Sequence, residues 1–110
     1  MIWHRLFKEI EMTTMQIDVP IDIEEYKFDI ERFVSQMVYK LYVHRDKTGW
    51  DHLEIDDVWY LLLDEVDEVR EALKSNNIND IKNELADVAN YCMILHSVLR
   101  RKQPDLFDDQ

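Results

Sequence analysis

The chain is short of the residues that make turns. Its 110 residues hold one glycine, Gly49, and two prolines, Pro20 and Pro104. A protein of many short strands needs turn residues at close intervals, so this shortage excludes an all-β design and favours long helices with few links. Cysteine is nearly absent too. Cys92 alone cannot form an intramolecular disulfide, and no Cys/His cluster has zinc-binding spacing. A reducing, cytoplasmic setting fits, and Cys92, inside the apolar run 91–95, reads as a small core residue. No long apolar run is present, and the first twelve residues interleave charge with apolar side chains. They therefore predict neither a membrane span nor a signal peptide. Positive charge is also scarce: 13 Lys and Arg stand against 24 Asp and Glu, a net charge of −11. Such a surface repels phosphate backbones, so nucleic acid is excluded as a partner.

What is present is apolar content at helical spacing. Hydrophobic residues are 46% of the chain, enough for one folded domain. Ile2, Leu6 and Ile10 recur every four residues, and residues 13–22 read as extended, because Pro20 disfavours helix before it. Residues 1–22 thus form an N-terminal helix or arm. A domain over 23–103 follows, and 104–110 is a tail. Within the domain, Ile30, Phe33, Val34, Met37, Val38 and Leu41 predict a helix over 23–44, capped by Asp22 or a neighbour. A turn is expected at Gly49. Val58, Leu61, Leu62, Val66, Val69 and Leu73 predict a second helix over 55–74. Asn76 and Asn77 suit its end, and Asn79 or Asp80 suits the next cap. Ile81, Leu85, Val88, Cys92, Leu95 and Leu99 alternate steps of four and three over a third helix, 81–101. The expectation is an all-α bundle of three main helices. The apolar surface they leave over implies completion by a second copy, as a homodimer or homotetramer.

Two acid pairs interrupt these apolar stripes. Glu65 and Glu68 follow Val58 and Leu61 on the second helix; Glu84 and Asp87 precede Tyr91, Ile94 and Val98 on the third. Residues three apart share a helix face, so each pair aims two carboxylates at one region. The short link over 75–80 makes the helices antiparallel neighbours and brings the pairs together. Ionised carboxylates on apolar faces are costly unless something neutralises them, and a bound cation does so. Oxygen donors without His or Cys suit Mg²⁺, with Mn²⁺ as the alternative, and Mg²⁺ completes its shell with water and phosphate. The pocket is therefore suited to a metal–polyphosphate complex. Asp67 and Glu71 read as ordinary surface acids.

The run Asp64-Glu65-x-x-Glu68, a spacer over 69–83, and Glu84-Leu85-Ala86-Asp87-Val88 together resemble the MazG-like, all-α nucleoside triphosphate pyrophosphohydrolases, whose pattern is EExxE, a spacer and ExxD. The likeness spans residues 47–99. It implies Mg²⁺-dependent hydrolysis between the α- and β-phosphates of a nucleotide, giving a nucleoside monophosphate and pyrophosphate. On that resemblance Glu65, Glu68, Glu84 and Asp87 hold the metal, and Glu65 or Asp64 takes the proton of the attacking water. Asp64 departs from the pattern, which often has Glu there.

The resemblance also implies nucleotide-binding roles. Trp50, before the second helix, is open to base stacking or to core packing. Asn90 and Tyr91, three and four residues after Asp87, are positioned to meet sugar or base. Lys47 reads as a phosphate contact from its place on the loop near the pocket. Arg100, Arg101 and Lys102 suit the helix dipole. Trp59 reads as core or interface. A di-iron bundle would need two ExxH motifs, and none occurs. Phosphoribosyl-ATP hydrolysis is less supported, since that branch shows a Tyr-His step after its ExxD and here Cys92 follows Tyr91. The alternative from another class is a non-catalytic helical module that binds nucleotide or assembles.

Overall fold

The computed structural model describes residues 14–47 and 50–108, and these contain helices and no strand. The elements are a 3-10 turn Ile21–Tyr26, helix α1 (Lys27–Val43), a 3-10 turn Trp50–His52, and helices α2 (Ile55–Ser75), α3 (Ile78–Lys102) and α4 (Pro104–Asp108). The three expected main helices are present. The tail differs from expectation, because Pro104 opens a five-residue helix; its missing N–H is no loss at a helix start. The expected helix over 2–10 and the turn at Gly49 lie outside the described residues.

The chain forms two compact units, Met1–Arg45 and Asp46–Gln110. In the first, residues 14–20 form neither helix nor strand and are held by α1 side chains. The Met15 amide donates to Ser35 Oγ at 2.6 Å, and the Ile17 amide donates to Glu31 Oε2 at 2.8 Å. The helix begins later than expected: Ile23 departs from helical geometry (φ −119°, ψ 21°), and the start at Pro20 carries no side-chain cap. No residue of α1 is fully buried.

The second unit is built on the α2–α3 hairpin. The link is shorter than the six residues expected, only Asn76 and Asn77, because each asparagine closes one helix. Asn76 takes the left-handed conformation (φ 59°) that ends α2. Asn77 caps α3, its Oδ1 accepting the Asp80 amide at 3.2 Å. Ser75 supports the corner, its Oγ donating to Ala72 O at 2.6 Å and accepting the Asn77 amide at 3.2 Å. At the other end, Glu54 and Asp57 form a reciprocal capping box at the start of α2.

The buried face of α3 is rotated from the one expected, while that of α2 keeps the expected Val58 and Leu62. On α2 the buried residues are Val58, Leu62 and Ala72, while Val66 and Leu73 are exposed. On α3 they are Ala86, Asn90, Ile94 and Val98, while Leu85 and Cys92 are exposed. Cys92 is thus not a core residue, and Trp59 is also exposed. A hairpin buries one face of each helix. Here the chosen faces put Ala72 and Ala86 inward near the acids, where small side chains let two helices approach closely. The larger core, Val58 with Ile94 and Val98, lies toward the open end, with Trp50 and Tyr91 packed against it.

Candidate functional site

The face that buries Ala86 also carries the acids inward. Glu65 on α2 and Glu84 and Asp87 on α3 are all half-buried, and each offers a carboxylate oxygen such that the three lie within 4.8 Å of one another. Glu68, one turn after Glu65, is exposed, yet its carboxyl is within hydrogen-bonding reach of Glu65. Of the four acids expected to meet, Glu65, Glu84 and Asp87 form a tight group and Glu68 neighbours Glu65.

This arrangement is electrostatically costly. Burial raises the Glu65 carboxyl to about 7, reinforced by the charges of Glu68 and Asp87, the hydrogen bond with Glu68 and the charge of Glu84. Glu65 Oε2 is buried with no hydrogen-bond partner among the described residues, a defect native interiors rarely keep. Oxygen donors converging on one point, one of them orphaned, fit a hard divalent cation and offer nothing to a soft one.

The remaining expected residues separate into those near the cluster and those away from it. Tyr91 is near: burial, then the charges of Glu65, Asp87 and Glu68, push its phenol above the ordinary value. Trp50 meets Tyr91 edge-on, ring centroids 5.6 Å apart and planes at 84°. It therefore packs on the core, as the second of its two readings expected, and it meets a residue that neighbours the acids. Asn90, 6% exposed, lies on the buried face of α3 one turn beyond Asp87. Asp64 is exposed and is not among the groups acting on Glu65. Lys47 is exposed on the segment before Trp50.

Toward the link, a groove of about 430 Å³ is lined by Glu68, Glu84, Asp67, Glu71, Ala72, Ser75 and Asp80. Asp67 and Glu71 pair with Arg70 (3.7 Å) and Lys74 (3.2 Å) on their own helix, all well exposed, which agrees with a surface role. Two contacts had no sequence signal. Arg101 Nη2 donates to the Trp50 carbonyl at 3.3 Å, and Lys102 pairs with Glu54. They join positions 51 and 48 residues apart, and no local spacing encodes them.

An all-α hairpin that brings Glu65, Glu84 and Asp87 together forms a group that could hold a metal ion. The family model of the MazG nucleotide pyrophosphohydrolase domain matches residues 54–108, which contain both acid pairs. The chain belongs to that family. It is similar to an uncharacterized protein of Archaeoglobus fulgidus, 31% identical over 77 residues, covering 66% of this chain and 83% of the relative. No solved structure matches the chain.

Proposed function

We propose that the protein is a Mg²⁺-dependent nucleotide pyrophosphohydrolase, cleaving a nucleoside triphosphate between its α- and β-phosphates to the monophosphate and pyrophosphate. The observation that carries this reading is the convergence of Glu65, Glu84 and Asp87, with an orphaned buried oxygen on Glu65, inside the span matched by the family. Glu65, Glu68, Glu84 and Asp87 are the residues that would hold Mg²⁺, with Mn²⁺ as a substitute. When bound, the cation supplies charge neutralisation at the phosphates and lowers the pKa of a coordinated water.

The chain's own groups do the rest. Glu65, which lies in the carboxylate group with Glu84 and Asp87, is the residue we assign to accept the proton of the attacking water. Exposed Asp64 is the weaker choice for that role. Tyr91 and Trp50 form an aromatic wall at the core side of the cluster, suited to a base or sugar, and Asn90 supplies an amide one turn from Asp87. Lys47 is assigned to phosphate on charge alone. The unit of action in this reading is a homodimer or homotetramer, because Trp59, Leu63, Val66 and Leu73 on α2 and Ile78, Leu85 and Met93 on α3 all remain exposed.

The test is pyrophosphate release from a panel of canonical and damaged nucleoside triphosphates with Mg²⁺. Glu84→Gln and Asp87→Asn should each lower kcat/KM by about 100-fold or more, as loss of a metal ligand does. No release from any nucleotide at high enzyme concentration overturns the reading. Stabilisation by nucleotide without turnover would favour a binding module instead.

A further inference from the structure

Trp50 sits in a three-residue 3-10 turn, Trp50–His52. A turn that short has no cooperative stability of its own, so outside contacts fix where it lies. Its carbonyl accepts two bonds, from the Leu53 amide at 3.2 Å within the turn and from Arg101 Nη2 at 3.3 Å. The adjacent residue, Lys102, pairs with Glu54, the residue that caps α2. Two consecutive cations at the last turn of α3 therefore fasten both ends of the segment 50–54. That segment holds the indole edge-on to Tyr91, whose phenol senses the charges of Glu65, Asp87 and Glu68.

We infer that Arg101 and Lys102 are positioning residues that act through Trp50: by fastening the segment 50–54 to the end of α3, they set the aromatic wall beside the carboxylate cluster and so the affinity for the nucleotide. The inference rests on the pyrophosphohydrolase reading above. Both cations are exposed, and exposed pairs are individually weak, so they bias the segment toward the closed arrangement and do not lock it. When they are lost, the segment opens part of the time and the competent fraction falls. The carboxylates, on α2 and α3, are left in place. Substrate affinity therefore falls while the chemical step, once substrate is bound, proceeds at its usual rate.

The experiment compares the wild-type chain with Arg101→Gln/Lys102→Gln and with the charge-conserving Arg101→Lys/Lys102→Arg. Two readouts are taken: pyrophosphate-release kinetics, and acrylamide quenching of Trp50 with Trp3 and Trp59 replaced by Phe. The glutamine pair should raise KM about fivefold with kcat within about twofold. It should also raise the quenching constant about twofold, as expected of a locally opened segment. The charge-conserving pair should return both toward wild type. A folded glutamine pair with KM and quenching unchanged overturns the inference and leaves the pyrophosphohydrolase reading intact. Equal loss of kcat and kcat/KM, or no rescue by the conservative pair, overturns it as well. A wild-type chain that releases no pyrophosphate from any nucleotide overturns the underlying reading, and this one with it. Should the glutamine pair lose its helical circular dichroism, Lys102→Gln alone is carried through the same measurements.

Discussion

Glu65 concentrates the physics of the site. Its carboxyl is raised to about 7, chiefly by burial, from an ordinary value of 4.5. Between those two values the folded chain binds more protons than the unfolded one, so stability falls as pH rises through that window. The cation-free protein should therefore melt at a lower temperature at pH 8 than at pH 5. Mg²⁺ should raise the melting temperature more at pH 8, where the carboxylate is already ionised, than at pH 5, where the cation must displace a proton. Glu65→Gln should flatten the pH dependence and remove most of the Mg²⁺ effect. Thermal melts over pH 5–8, with chelator and with Mg²⁺, test this, and a melting temperature that climbs with pH in chelator would refute the assignment.

The elements are held by their ends as much as by their faces. Asn76 and Asn77 do different work although they are the same residue. One accepts a left-handed backbone that a β-branched side chain resists, and the other caps α3 through its side chain. Asn76→Val should destabilise by roughly 1–2 kcal/mol, and Asn77→Ala by about 1 kcal/mol. Urea unfolding of the two variants checks both values, and a neutral Asn76→Val would mean that the left-handed turn is not needed. This corner was legible in advance as a helix end and a new start. Its exact length was not, because Asn77, Asn79 and Asp80 are all good caps and tertiary packing chose the first. The buried face of α3 differs from the expected one for a similar reason. The line from Ile81 to Leu99 and the line Ala86, Asn90, Ile94, Val98 both have helical spacing. Hydrophobicity favours the first; the close approach that Ala86 permits favours the second.

The whole chain carries a net charge of −11 and an apolar surface on the second unit. Among the described residues no helix is long and apolar enough to cross a membrane. On the proposed reading a second copy would hide the exposed apolar side chains of α2 and α3. Leu73→Glu with Leu85→Glu, both at exposed positions, should leave helicity intact and reduce the mass in solution to that of one chain. Sedimentation equilibrium reads this directly. A wild-type mass already equal to one chain, or a variant mass unchanged, would remove these faces from the proposal.

The sequence by itself determined the helical class, the three main helices, the pairing of Glu65 and Glu68 with Glu84 and Asp87, and the family to which that pairing points. These rest on local spacing and on a link too short to allow anything but an antiparallel hairpin. Only the tertiary structure decided which face of α3 turns inward, that Glu68 flanks the group Glu65, Glu84 and Asp87, that Cys92 lies outside the core, and that Arg101 and Lys102 reach Trp50 and Glu54. Helical periodicity fixes which residues share a face, but not which face wins when two are apolar. That choice depends on how closely two helices can approach, and on contacts between residues some fifty positions apart, which no window of sequence contains.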